Sequence, residues 1–115
     1  MAEILRGELW WANLPEPFGS EPGFRRPVVI VQAGEFNRSA VRTVIVAAVT
    51  SNLRWADAPG NVFLSTDVSG LRTPSVINVL QLSAIDRTRL SECISRLPDD
   101  VMAALDNGLR LALEL

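Results

Sequence analysis

Residues 43–50, TVIVAAVT, are apolar at nearly every position and rich in β-branched side chains. The run is too short to cross a membrane and too β-branched to favour a helix. Apolar side chains on both faces of an extended chain are satisfied only in the middle of a sheet covered on both sides. A central strand needs neighbours, and the chain offers several. Residues 8–14 (ELWWANL), 27–33, 61–65 (NVFLS), 75–80 (SVINVL) and 92–96 read as further short strands. Residues 83–90, SAIDRTRL, read as a helical turn. Between the strands lie a long Pro/Gly loop at 15–26, the turn-rich stretch AGEFNRSAVR and the loop SNLRWADAPGN.

The end of the chain changes period. In LPDDVMAALDNGLRLALEL, Val101, Leu105, Leu109 and Ala112 recur three or four apart, the spacing of a helix face. Pro98 suits a first helical position, and Asp99 and Asp100 suit the positive end of the helix dipole. Gly108 costs such a helix up to about 1 kcal/mol relative to Ala. Several short strands followed by one helix predict a mainly β (α+β) fold, a strongly curved sheet or barrel with a helix packed on it. At 115 residues the expectation is one domain over residues 1–115. No apolar run reaches the roughly 18 residues of a membrane span, and the N-terminal stretch has no signal-peptide core, so no membrane association and a cytoplasmic location are expected.

Composition narrows the chemistry. There is no histidine and one cysteine, so a zinc site would need an all-carboxylate shell, and no metal or other cofactor is expected. Cys93 cannot form an internal disulfide and reads as a small core residue. There is no lysine, which excludes Schiff-base chemistry and a P-loop. All eleven side-chain cations are arginines, the residue suited to bidentate phosphate contacts. The net charge of −2 argues against broad nonspecific binding to duplex DNA and leaves room for a local arginine patch.

One such patch lies in GSEPGFRRPVVIV. Arg25 and Arg26 sit on the seam between a flexible loop and an apolar strand, and Pro27 biases Arg26 toward extended geometry. They either solvate a loop end or form an anion site, with Glu21 within reach across the loop. Thr50, Ser51 and Asn52 follow the central strand and are either turn caps or hydrogen-bond donors held on a rigid support. Adjacent on one strand, Trp10 and Trp11 point to opposite faces, one toward the core and one more exposed. Trp55, in a polar loop, is a candidate for contact with a partner.

Across these segments the chain resembles the MazF/PemK family of toxin endoribonucleases. RGELWWANL is similar to the opening strand of that family, GSEPGFRRPVVIV to its loop and strand, VIVAAVTSN to the strand ending in threonine, SVINVLQL to the strand ending in glutamine, and the last 19 residues to its closing helix. The resemblance implies an SH3-like small β-barrel with a C-terminal helix, a homodimer, and a cognate antitoxin that inhibits it. It implies metal-independent, sequence-specific cleavage of single-stranded RNA by attack of the 2′-OH, leaving 2′,3′-cyclic phosphate and 5′-OH ends. Arg26 corresponds to the catalytic arginine and Thr50 to the catalytic threonine. Ser20 and Glu21 fall on loop positions used in substrate contact and catalysis, Glu21 as candidate base, and Gln81 on a site-lining glutamine. Arg25, Ser51 and Asn52 are expected to contact substrate. The sequence departs from the pattern at Arg25, where a small or neutral residue is common, and at Pro74, where an Asp is common. Two other readings fit a barrel of this kind: a CcdB-like toxin that inhibits gyrase, and a noncatalytic RNA-binding barrel.

Overall fold

The computed structural model describes residues 3–115. Six strands, β1 (Glu8–Leu14), β2 (Phe24–Ile30), β3 (Thr43–Thr50), β4 (Val62–Leu64), β5 (Ser75–Asp86) and β6 (Leu90–Arg96), form one antiparallel sheet in the order β4-β5-β3-β2-β1-β6. The sheet curls into a half barrel, with β4 and β6 at its edges. Short helices α1 (Gly34–Asn37) and α2 (Thr66–Ser69) lie in connections, and the long helix α3 (Asp99–Leu113) closes the chain.

β3 is central, as its composition requires, and it divides the core in two. Ala47 and Val49 face a cluster that also holds Leu9, Val29, Ile77, Leu97, Leu105 and Leu109, so α3 covers this side. Val44 and Val46 face the other cluster, with Trp10, Ala12, Val28, Ile30 and Ile85. Strand alternation alone assigns each neighbour to its side. Trp10 is buried and Trp11 half-buried, as expected of adjacent strand residues.

Three expectations are corrected. Residues 83–86 continue β5 and are not a helical turn; only Arg87–Arg89 form a 3-10 turn. The reason is a bulge. Ala48 pairs with Asn78 but Ala47 pairs with Leu82, leaving Val79, Leu80 and Gln81 unopposed on β5. An odd number of extra residues reverses the phase, so Ile77 and Ile85 face opposite clusters although their spacing is even. Next, β2 begins earlier than expected, at Phe24, so both arginines lie within the strand. Lastly, Cys93 is exposed and not in the core; it lies on β6, an edge strand of the sheet.

Gly108 has a packing reason. A Cβ there would collide with the backbone carbonyl oxygen of Gly60, so the glycine lets α3 lie against the loop before β4. Pro98 stands one residue before the first helical position expected of it, its carbonyl accepting from the Met102 amide at 3.0 Å, and Asp99 and Asp100 fill the first turn. The Arg6 guanidinium ties the chain start to both layers, donating to the Val31 carbonyl at 2.8 Å and to Asp106 on α3 at 2.8 Å.

Candidate functional site

The loop–strand seam opens into a cavity of about 450 Å³. β2 supplies Arg25, Arg26 and Pro27, and β3 supplies Val49 and Thr50, followed by Ser51. Trp11 of β1 and Ile94 of β6 line another side, and the segment from Gly70 to Thr73 with Ser75 closes it. Thus Arg25, Arg26, Thr50 and Ser51, all singled out in the sequence, meet at one place.

The two arginines are not equivalent. In the β1–β2 register Asn13 opposes Arg25 and Ala12 opposes Arg26. Alternation therefore sets Arg26 on the face of Val28 and Ile30, and Arg25 on the face of Trp11. The Arg25 guanidinium carbon lies 4.2 Å from the centre of the Trp11 ring, a cation–π contact. Arg26 is half-buried, and its Nε is fully shielded with no hydrogen-bond partner among the described residues. Arg87 Nε is in the same state, while its two terminal nitrogens donate to the Asn37 and Phe36 carbonyls at 2.6 and 2.9 Å. Continuing the β2–β3 register two residues past Val28–Ala48 brings Thr50 level with Arg26 and onto the same face.

The backbone at the seam is strained. Phe24 has φ of 58°, a left-handed conformation that costs a bulky residue about 1–3 kcal/mol. Its side chain is largely exposed, so no burial offsets the strain at this point. The strained residue immediately precedes the arginine pair.

Other predicted site residues lie around the cavity. Thr50 Oγ1 accepts from the Asn52 amide at 3.1 Å, so the turn-capping role is realised while its own proton stays free to donate. Asn52 is not among the lining residues; its Oδ1 accepts from the Arg54 amide at 3.2 Å and caps the 3-10 turn Leu53–Asp57. Gln81, on the β5 bulge, donates from Nε2 to the Ser20 carbonyl at 3.0 Å and so anchors the 15–23 loop. The structure does not bring Glu21 to the arginines: its Oε1 accepts from the Phe18 amide at 3.0 Å, and it does not line the cavity. Trp55 is 43% exposed, in the 3-10 turn.

The sequence reading missed Arg72, Thr73 and Leu71. Arg72 is a third guanidinium on the cavity. Its signal was present in GLRTPSV, an arginine between a glycine and a proline in a segment joining two elements.

Comparisons with known proteins place the chain in a family. The sequence model of the PemK-like, MazF-like toxins of type II toxin–antitoxin systems matches residues 5–113. Endoribonuclease MazF6 of Mycobacterium tuberculosis is 41% identical over 112 residues, covering 97% of this chain and 98% of that protein. MazF of Deinococcus radiodurans superposes with a TM-score of 0.84 at 24% identity, each chain covered completely. A mycobacterial endoribonuclease solved in complex with its cognate antitoxin superposes with a TM-score of 0.77 at 21% identity, covering 100% of this chain and 97% of that one. These two structures match the half barrel and its helix. With a family match over nearly the whole length and a relative at this identity, the chain belongs to the PemK-like, MazF-like toxins of type II toxin–antitoxin systems.

Proposed function

We propose that this protein is a cytoplasmic toxin endoribonuclease that cuts single-stranded RNA without a metal, and that Arg26 and Thr50 carry the chemistry. The observation that carries the reading is the meeting of Arg26 and Thr50 on one face of adjacent strands at a single cavity, with Arg25 and Ser51 beside them. The ribose 2′-oxygen attacks the adjacent phosphorus, the bond to the 5′-oxygen breaks, and the products are a 2′,3′-cyclic phosphate and a 5′-OH. The nucleophile belongs to the substrate, which suits a protein without histidine or lysine. The protein's task is to stabilise the charge that grows on the nonbridging oxygens. A guanidinium and a hydroxyl held on adjacent strands do so without reorganising, each worth about 3 kcal/mol or 10²–10³ in rate.

Proton transfer has less support from side chains. A guanidinium pKa above about 12 makes arginine a poor base. Glu21 reaches a 2′-OH only if the Phe18 amide releases it. With that bond closed, its part is to shape the loop, and alignment and charge raise the rate while water exchanges the protons. Ser20 and Gln81 act through the same loop, while Arg25 and Ser51 contact the RNA and Asn52 holds the turn that follows. The family assignment supports a homodimer with RNA across the shared face and an antitoxin partner. Among the described residues no helix is long and apolar enough to cross a membrane.

Incubating the protein with a long RNA in EDTA tests the reading. Defined cuts whose 5′ ends accept phosphate from a kinase directly are expected. Intact, bound RNA would favour a noncatalytic RNA-binding barrel, and intact, unbound RNA a gyrase-inhibiting toxin. Arg26→Ala should abolish the cuts while changing stability by only about 0.5 kcal/mol, since it removes a donor that has no partner. Arg26→Lys should also be strongly impaired, because a point charge cannot form the bidentate fork. A folded Arg26→Ala protein with wild-type turnover would overturn the assignment.

A further inference from the structure

The bulge in β5 leaves Val79, Leu80 and Gln81 without partners on β3, and two asparagine side chains complete it. Asn78 Oδ1 accepts from the Leu80 amide at 3.0 Å, and Asn61 Oδ1 accepts from the Val79 amide at 2.9 Å. Val79 is buried, so its amide needs such an acceptor. Asn61 comes from outside the strand. It stands one residue before β4, and the Val62–Ile77 register continued by one residue brings it level with Asn78. Its side chain takes over where the β4 ladder ends.

The other end of the same carboxamide is engaged too. Asn61 Nδ2 donates to the Trp55 carbonyl at 2.9 Å, in the 3-10 turn Leu53–Asp57. From Trp55 the bonds lead to the cavity: the Trp55 amide donates to the Asn52 carbonyl at 3.2 Å, and the Asn52 amide to Thr50 Oγ1 at 3.1 Å. From Val79 they lead to the loop, because two residues further on Gln81 donates to the Ser20 carbonyl. One half-buried side chain therefore holds the turn after Thr50 with one atom and the bulge that carries Gln81 with another. Its partners are a carbonyl and an amide, so the group between them must donate and accept at once, as a carboxamide does.

We propose that Asn61, which does not line the cavity, is a positioning residue for RNA cleavage: it fixes the Thr50 hydroxyl and the Gln81-anchored loop relative to each other. The proposal rests on the nuclease reading above. A hydroxyl that stabilises growing charge must be in place before the charge appears, and a displacement of about 1 Å costs about 10²-fold in rate.

Two variants separate the two ends of the carboxamide. Asn61→Asp keeps an acceptor for the Val79 amide and sets a carboxylate oxygen against the Trp55 carbonyl, so it releases the turn and keeps the bulge. Asn61→Ala releases both. At saturating RNA and well below the Tm, single-turnover cleavage should fall at least about tenfold in Asn61→Asp, with RNA affinity within about threefold of wild type. The loss should not multiply with that of Thr50→Val, since both act through one hydroxyl. Amide NMR spectra read the coupling without chemistry. The Asn52 and Glu21 amide resonances should both move in Asn61→Ala, and that of Glu21 should stay in Asn61→Asp. Full cleavage by the folded variants with only a lowered Tm, a loss that multiplies with Thr50→Val, or a Glu21 resonance unmoved in Asn61→Ala would overturn the proposal and leave the nuclease reading standing. A wild-type protein that cuts no RNA would sink the nuclease reading instead, and the two resonances would still decide whether Asn61 joins turn to loop.

Discussion

Thr50 uses one oxygen in two ways: it accepts from the Asn52 amide, and its own proton remains available to the cavity. Thr50→Val keeps the shape and β-branching and deletes both. Single-turnover cleavage should fall about 100-fold or more, with RNA affinity changing much less. Unchanged cleavage with a lowered Tm would mean that the residue is only a cap. Asp86 makes a prediction of another kind. Its carboxyl lies below the usual aspartate range because the Thr88 amide (2.9 Å) and then the Thr88 hydroxyl (2.7 Å) donate to it, with Arg42 and Arg89 adding charge. A depressed carboxyl stabilises the fold above its ordinary pKa and loses that contribution as pH falls through the native value. The Tm difference between wild type and Asp86→Asn should therefore narrow as pH drops below the ordinary aspartate range, and a constant difference would refute the linkage. At this scale the sequence was most legible where chemistry and position coincide, as at Arg26 and Thr50. Glu21 was not legible, because the nearest donor to a loop carboxylate is its own backbone, here the Phe18 amide.

Among the elements, β3 and α3 follow from their residues alone, one from an unbroken apolar run and the other from a period near 3.6. β5 does not, since the bulge at Val79–Gln81 reverses the phase and no alternation survives across all twelve residues. That irregularity has a use, because it delivers Gln81 to Ser20 and couples the sheet to the loop beside the arginines. The early start of β2 was hidden for a similar reason: Phe24 takes a left-handed φ that its side chain gives no hint of. Gly108 separates local preference from packing. Helix propensity favours Gly108→Ala by up to about 1 kcal/mol. The clash with the Gly60 carbonyl should outweigh this, for a net loss of about 1–3 kcal/mol in urea unfolding. A stabilised variant would mean that the loop before β4 yields freely.

At the scale of the whole molecule the charge is uneven: a net −2 overall, with three arginines gathered on one cavity. The half barrel was legible as a mainly β fold with a terminal helix, but its open edges were not, since strand order depends on pairings far apart in the chain. An antitoxin that inhibits at this cavity should fold an acidic and apolar segment over it, with carboxylates opposite Arg25 and Arg26 and an apolar anchor near Trp55. Titrating the toxin–antitoxin complex with an uncleavable RNA should then displace one by the other, and a ternary complex would refute a shared face. The sheet order adds a constraint in time. β1 lies between β2 and β6, so the first of the six strands is hydrogen-bonded on one side to the last, Trp11 beside Glu92. The cavity takes Trp11 from one end of the chain and Ile94 from near the other. Until β6 has been made, a growing chain holds only part of that wall, and α3 must still follow to bury Leu9 and Val29. Local pieces have little to fold around, and non-local strand pairing is slow. A chain that stops short of β6 therefore lacks part of the cavity wall, however well its earlier strands are made.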